Sequence, residues 1–110
     1  MQEEKTLSIV DSNFVTGNRC GCFLIQKRWI LLNGEIDVDF TNAKNYAGYT
    51  ALKSPVLPLF KTALTAIDEY GMGYTGIFYA DGRVEIAIRS YIPESQKQIL
   101  RFSCIAFASI

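Results

Sequence analysis

Alternation of apolar and polar residues with a period of two is the sequence feature that most constrains the fold of this chain. It is clearest in the runs EIDVDF at 35–40 and VEIAIR at 84–89. Because successive side chains of a β-strand point to opposite faces, such runs predict strands with one face on a core and the other in water. About seven or eight such segments occur at short spacing and without an internal repeat, which predicts an all-β domain, an antiparallel β-sandwich or jelly roll.

Three strands are predicted in the N-terminal part of the chain. Thr6–Val10 forms the first, Cys20–Gln26 the second and the segment WILLNGEIDVDF at 29–40 the third. Asn33-Gly34 within the third segment has two interpretations that the sequence leaves open. It is either a hairpin turn or a bulge inside one long strand, since glycine is common at both.

The middle of the chain is less regular. From 41 to 59 the alternation fades, and two prolines, a glycine and two asparagines predict a long loop with a short extended piece at 55–59. The segment KTALTAIDEYG at 61–71 permits either a short amphipathic helix that ends at its glycine or a strand. We favour the strand, because the neighbouring segments are β.

The stretch GMGYTG at 71–76 matches the dinucleotide-binding fingerprint G-x-G-x-x-G. That site requires a helix that opens at the third glycine and holds a pyrophosphate at its N-terminus. Here two β-forming runs follow, joined by Asp81-Gly82, a pair typical of a two-residue type I′ hairpin turn. We therefore expect Gly76 to open a strand, a hairpin between 76–80 and 83–90, and no nucleotide binding.

The balance of ionisable residues excludes several classes of function. The chain has 110 residues, no histidine, and 11 basic residues against 11 acidic ones. The absence of histidine removes His-based acid–base and nucleophilic catalysis and every His metal site. A net charge of zero lacks the basic footprint of general nucleic-acid binding. We expect one domain over 1–110, with a lead-in strand and loop at 1–19, and neither enzyme activity, cofactor nor nucleic-acid partner.

The three cysteines are expected to be structural. An odd number cannot make a disulfide framework, and Cys20, Cys22 and Cys104 cannot complete a zinc tetrahedron in a chain without histidine. Buried thiols acting as small hydrophobes suit a protein made in a reducing cytosol. The N-terminal MQEEKTLSIV lacks the basic region of a signal peptide, and CIAFASI is too short to span a membrane. We expect a soluble protein without membrane insertion.

The C-terminal segment QILRFSCIAFASI predicts a strand with two apolar faces. Ile105 and Phe107 fall on one face, and residues 102, 104, 106 and 110 fall on the other. A two-sheet sandwich covers only one face of each sheet, so the second face needs another chain. The residues expected at that subunit interface are Phe102, Cys104, Ile105, Phe107 and Ile110.

Glu35, Asp37 and Asp39 place three carboxylates in a row on one strand face. Such a row could ligate calcium or supply the acid and nucleophile of a glycosidase. We favour a solvated strand face paired with Lys or Arg on a neighbouring strand, and we expect no metal site.

The order of the motifs resembles the C-terminal head domains of phage tail fibres and receptor-binding proteins. In those, a strand V-x-L-x-G-x-I precedes a Leu-Pro loop, a G-I-x-Y-x-x-D-G-x-V-x-I hairpin follows, and a strand I-x-F-S closes the domain. The matching residues here are Ile30, Leu32, Gly34, Ile36, Leu57, Pro58, Gly76, Ile77, Tyr79, Asp81, Gly82, Val84, Ile86, Leu100, Phe102 and Ser103.

The resemblance covers about residues 20–110 and implies a β-sandwich that trimerises about a three-fold axis and binds host-surface saccharides. It implies a protein made in the cytoplasm that acts at a virion tail or particle tip. Such heads usually follow a long shaft, whereas only about twenty residues precede the match here. An excised head domain and a small independent protein both stay open.

Saccharide sites combine an aromatic platform with carboxylates or amides that bond to hydroxyl groups. One candidate group lies in the predicted loop 41–59, a second lies around GMG, and Trp29, in an apolar run, is a third candidate. The first group is Asn42, Asn45, Tyr46 and Tyr49, and the second is Asp68, Glu69, Tyr70 and Tyr74. Two functions follow from different classes of protein. The first is a trimeric receptor-binding head that recognises saccharide, and the second is a structural trimerising cap or assembly protein without a ligand.

Overall fold

The computed structural model describes residues 2–44, 46–88 and 96–109, and its regular structure there is entirely β. In these ranges no helix is present, and hence none long and apolar enough to cross a membrane. The strands are β1 Gln2–Thr6, β2 Ser8–Ile9, β3 Val15–Ile25, β4 Trp29–Asp39, β5 Ala47–Lys53, β6 Thr62–Ile67, β7 Gly73–Phe78, β8 Arg83–Ile88 and β9 Lys97–Phe107.

All nine strands belong to one antiparallel sheet, in the order β1-β3-β4-β9-β6-β7-β8-β5-β2. The two strands at the ends of this order are consecutive in the chain and are separated only by Leu7. The N-terminal segment therefore pairs with both edges, through β3 and through β5, and the sheet curls into a nearly closed barrel. The predicted all-β antiparallel class is confirmed.

The strands do not divide into the two separate sheets expected of a sandwich. The long strand β9 pairs with β4 over its whole length and with β6 on its other side, so it joins the two halves into one continuous sheet. The predicted first strand, Thr6–Val10, is likewise divided. Thr6 is the last residue of β1, and Ser8–Ile9 forms β2 on the opposite edge of the sheet.

The barrel interior is filled by every second residue of the strands. Aliphatic side chains dominate it, and Leu7 is buried where the N-terminal segment passes from one edge to the other. Aromatic rings fill the end of the barrel at which β4 ends. Phe14 stacks on Tyr49 at 4.9 Å and meets Phe40 edge-on at 5.6 Å, and Phe40 stacks on Tyr74 at 5.7 Å.

The long loop predicted for 41–59 is wrong, because β5 lies within it. A β-bulge between Thr50 and Leu52 shifts the pairing of β5 with β8. As a result Ala51 and Leu52 are both buried although they are adjacent. The bulge removes the period-two signal that would have revealed the strand.

The strand preferred for 61–71 is confirmed as β6, and the hairpin around Asp81-Gly82 is confirmed as β7 and β8. The predicted type I′ turn is wrong. Gly82 has a φ of 95°, but Asp81 does not have a positive φ. Tyr79 N donates to the Arg83 carbonyl at 2.9 Å, and Gly82 N donates to the Tyr79 carbonyl at 2.9 Å. This is a three-residue loop with a left-handed glycine at its end. The expected end of the second hairpin strand, 89–90, lies outside the described residues.

Asn33-Gly34 forms neither of the two structures considered for it. The register of β4 passes through Gly34 without a shift, against β3 on one side and β9 on the other. A Cβ at Gly34 would collide with the carbonyl oxygen of Arg19 and lie 2.7 Å from Cys20 Cα. Glycine is present at this position because two backbones approach closely, and the strand continues through it.

Candidate functional site

The outer face of β3, β4, β9, β6 and β7 carries side chains in rows that cross the strands. At one end of this face, where β4 begins and β9 ends, the rows are apolar. Leu31 lies between Phe23 and Ile105, and Trp29 lies between Ile25 and Phe107. On the next pair of strands, the outward residues Ala63 and Ile77 are partners.

The loop 54–61 enlarges this apolar region. Leu59 N donates to the Phe107 carbonyl at 2.8 Å, and the ring of Phe60 lies 6.0 Å from that of Phe107. The Trp29 and Phe107 rings are 4.6 Å apart. We call this surface the apolar zone. Its members are Phe23, Ile25, Trp29, Leu31, Leu59, Phe60, Ala63, Ile77, Ile105 and Phe107.

Polar side chains line a depression of about 660 Å³ in the middle of the same face, beside the apolar zone. We call it the central depression. Gly34 and Phe102 contribute to its floor, and Ile67 adds an exposed aliphatic side chain. Its polar lining residues come from four strands and are Arg19, Asn33, Glu35, Thr65, Arg101 and Ser103.

Ion pairs organise the polar end of the face. Arg19 donates from Nε to Glu35 at 2.8 Å and from Nη1 and Nη2 to the two Asp37 oxygens at 2.6 and 2.7 Å. Arg101 Nε donates to the second Glu35 oxygen at 3.0 Å. These bonds from Arg19, opposed by partial desolvation, hold the pKa values of Glu35 and Asp37 below their usual range.

The interpretation of the acidic row as a solvated strand face paired with basic residues is confirmed for Glu35 and Asp37. Asp39 is satisfied differently, because it accepts a 2.5 Å hydrogen bond from the Thr41 hydroxyl, which lowers its pKa. A second depression of about 360 Å³ lies beside this row, between Asp37, Asp39 and Lys97. Within the part of the chain that the structure describes, no group of three or more His, Cys, Asp or Glu side chains could hold a metal ion.

Several polar groups of the central depression have no partner within the described residues. The side chains of Asn33, Thr65 and Ser103 form no hydrogen bond there, and Arg101 uses only its Nε. Arg19, in contrast, uses Nε and both terminal nitrogens. The depression therefore offers hydroxyl, amide and guanidinium groups to a ligand, with Ile67 as an apolar contact.

Of the predicted saccharide-contacting residues, Tyr46 and Tyr70 are exposed, by 79% and 60%. Tyr49 is half-buried, stacks on a core phenylalanine and accepts a hydrogen bond from Lys44 N at 2.9 Å. Asn42 is exposed in the loop after β4. Asn45 lies outside the described residues.

Asp68 and Tyr74 are buried, with 4% and 3% of their surface exposed, and they bond to each other. The Tyr74 hydroxyl donates to Asp68 at 2.8 Å, and Asp68 also accepts from Tyr70 N at 2.8 Å and Met72 N at 3.0 Å. These two side chains hold the β6–β7 turn in shape, and their neighbour Tyr70 is the exposed member of the group. The third glycine of GMGYTG, Gly76, lies inside β7, so no helix opens there.

The residues predicted at a subunit interface divide between the two faces of β9. Ile105 and Phe107 point outward into the apolar zone, and Ile105 is 64% exposed. Phe102 and Cys104 point inward and are buried in the core of the same chain. Ile110 lies outside the described residues.

The cysteines are free thiols. Cys22 and Cys104 are buried and Cys20 is half-buried, as expected of small core residues. Burial raises the pKa of Cys20 to about 12 and raises those of the other two, so all three remain protonated near neutral pH.

The sequence reasoning missed the central depression because its residues come from separate parts of the chain. Asn33, Thr65 and Ser103 become neighbours only through the pairing of β4 with β9 and of β9 with β6. The available signal was the alternation of β9, in which Arg101 and Ser103 precede Ile105 on the same face. That signal identifies an outward polar stretch without revealing which strands lie beside it.

Comparison with protein-family models, with curated proteins and with solved structures found no match to this chain.

Proposed function

We propose that this chain is the receptor-binding head domain of a phage tail fibre or related particle, which forms a homotrimer and recognises a host-surface saccharide. The observation that carries the proposal is the apolar zone directly beside the polar central depression. An assembled head needs both surfaces, one for its own subunits and one for a hydroxylated ligand.

The size and composition of the apolar zone support self-association. It crosses five strands, which at about 4.8 Å per strand makes it about 20 Å wide. No charged side chain interrupts its rows on β3, β4 and β9. Contiguous apolar surface of this kind marks interaction sites in soluble proteins. A second copy suits it, because a net charge of zero opposes association of identical chains only weakly. Only the resemblance of the motifs to phage head domains supports the three-fold arrangement and the jelly-roll class.

The polar surface supports a saccharide ligand. The hydroxyls of Thr65 and Ser103 and the amide of Asn33 can exchange hydrogen bonds with sugar hydroxyls. Tyr46 and Tyr70 lie on connections at the end of the barrel opposite Trp29 and Phe107. In a trimer joined through the apolar zone, these tyrosines would stay accessible for stacking.

One observation favours the alternative, a structural trimerising cap without a ligand. Asp68, Tyr74 and the ring of Tyr49 are already engaged in the fold, so fewer aromatic groups are available to a sugar than the sequence suggested. The alternative shares the apolar zone and differs only in lacking ligand binding.

Two measurements test the proposal. Sedimentation equilibrium at micromolar concentration should give the mass of three chains, and a stable monomer would contradict the trimer. Glycan-array binding should weaken in Tyr46→Ala or Tyr70→Ala, because loss of a stacked ring costs about 1 kcal/mol. Tyr79→Ala serves as the control, because it removes an aromatic ring from the β7–β8 connection, outside both the apolar zone and the central depression. A trimer that binds no glycan would support the structural cap instead.

A further inference from the structure

We propose that the central depression binds an anionic saccharide, with Arg101 holding its carboxylate or phosphate group, an inference that rests on the saccharide recognition proposed above. It names the class of sugar and the residue that selects it. None of the lining residues belongs to the loop tyrosine groups indicated by the sequence.

Arg101 is positioned like a ligand-binding arginine. Its side chain is 62% exposed, and its Nε is fixed by a 3.0 Å hydrogen bond to Glu35. Its terminal nitrogens have no partner among the described residues. A guanidinium held at Nε presents these nitrogens as a pair, which matches the two oxygens of a carboxylate or phosphate.

The two oxygens of Glu35 are both occupied, one by Arg19 and one by Arg101. Glu35 therefore acts as a fixed support for Arg101, and its negative charge is shared between two cations. Both terminal nitrogens of Arg19 already donate to Asp37, so Arg19 cannot present them as a free pair. Of the two arginines, Arg101 is the one whose terminal nitrogens are both unshared within the described residues and can bind an anion as a pair.

The rest of the depression fits a sugar ring and not a bare anion. Asn33, Thr65 and Ser103 lie on the strands beside Arg101 and carry both donors and acceptors. Ile67 is paired with Arg101 across β6 and β9, and it offers an aliphatic surface to the C–H groups of a ring. A volume of about 660 Å³ has room for one or two sugar residues.

The test is an NMR titration of the ¹⁵N-labelled full chain with D-glucuronate, D-glucose 6-phosphate, D-glucose and inorganic phosphate. The three sugars share one ring and differ in the group at C6. Both anionic sugars should shift the Arg101 Nε–H signal and the Ser103 and Thr65 amides. Their Kd values should be about tenfold below that of glucose or lower, since charge-assisted bidentate bonds are the strong ones. The difference between the two anionic sugars assigns the carboxylate or the phosphate as the source of the charge.

Arg101→Gln should bring the anionic sugars to within about twofold of glucose, and Arg101→Lys should restore only part of the difference. Arg83→Gln is the matched control, because Arg83 is also exposed and also donates from Nε to a carboxylate, that of Asp81 at 2.8 Å. It should leave all affinities unchanged. The dispersion of the spectrum reports that each variant is folded.

Glucose binding equal to that of the anionic sugars, or affinities unaffected by Arg101→Gln, would overturn this inference and leave saccharide recognition standing. Inorganic phosphate that binds as tightly as glucose 6-phosphate would likewise overturn it. Failure of both anionic sugars to shift any signal would also overturn this inference, whereas saccharide recognition itself is decided by the glycan-array measurement described above.

Discussion

The two ends of the outer face lie on the same strands but differ in the free energy that they gain when they are covered. At one end, β4 and β9 contribute Trp29, Ile105 and Phe107, whose exposed surface is apolar. Towards the other end, they contribute Glu35 and Arg101, which bond to each other. The backbone pairing is continuous between the two ends. The two ends therefore differ only in their side chains. The apolar end gains free energy when a partner covers it, and the end with the ion pair does not.

This contrast follows from how each kind of group interacts with water. Apolar area gains about 25 cal/mol per Å² when it is removed from water, so the apolar zone favours a protein partner. Exposed ion pairs gain little from burial, because desolvation offsets their attraction. A partner that covers the apolar zone would therefore stop near the central depression, and the depression would lie at the subunit boundary.

The largest effect is expected when a charge is placed in the apolar zone. Ile105→Asp should convert the proposed trimer to monomers, because an unpaired carboxylate buried at an interface costs about 3 kcal/mol or more. Ile105 is mostly exposed in the single chain, so the monomer should keep its fold. Analytical ultracentrifugation measures the mass, and circular dichroism checks the fold.

Thr75→Asp is the control for this substitution. Thr75 is exposed on the same face of the sheet, on β7, and belongs to neither the apolar zone nor the central depression. It should leave the mass unchanged. If Ile105→Asp and the parent had the same mass, the apolar zone would not be the subunit contact, and the contrast between the two ends would lose its functional meaning.

The sequence predicted the parts of the fold that depend on local pattern. Alternation located the strands around Ile36, Val84 and Phe102, and turn chemistry located the hairpin at Gly82. It failed where a non-local contact decided the outcome. The bulge at Ala51 hid β5, and the closure of the barrel by Leu7 and its neighbours could not be read from a strand pattern.

For the candidate site too, the sequence predicted the features that depend on local pattern and missed those that depend on which strands are neighbours. The outward direction of Ile105 and Phe107 followed from a period of two, and the pairing of the acidic row with arginine followed from charge. The central depression depends on which strands are neighbours, and the sequence did not reveal that order. Tyr74 could not be recognised as a core residue either, because the position of its hydroxyl acceptor, Asp68, is fixed by the geometry of a turn.

A second, smaller effect is expected at the boundary between the two ends. Gly34 lies there on β4, with a φ of 145° and the backbone of β3 against its Cα. Gly34→Ala should destabilise the fold by about 2 kcal/mol or more, because it adds a backbone collision to an unfavourable φ. Gly71→Ala is the matched control, since Gly71 has a φ of 83° but nothing within 4 Å of an added Cβ. It should cost about 1 kcal/mol. Urea unfolding measures both, and equal losses would show that close strand packing at Gly34 is unimportant.

The smallest effect is expected from the ion pairs at the polar end of the face. The pH dependence of stability distinguishes the contribution of these ion pairs from other effects. The pKa values of Glu35 and Asp37 are lowered in the folded chain, mainly by hydrogen bonds from Arg19. The folded state therefore holds these protons less tightly than the unfolded state. The resulting stability is present above the usual carboxyl pKa values and is lost as the pH falls through the lowered ones.

Arg19→Gln should therefore lower the melting temperature slightly at pH 7 and make its decline on the acid side shallower. The effect should be small and should shrink in high salt, because exposed pairs are screened by water and ions. Arg28→Gln is the control, since it removes the same charge from an exposed position without an ion pair among the described residues. Thermal melts from pH 7 to pH 3 compare the two variants with the parent. Should Arg19→Gln keep the acid-side slope of the parent, the arginine does not stabilise the carboxylates, and Glu35 would lose its role as the fixed support for Arg101.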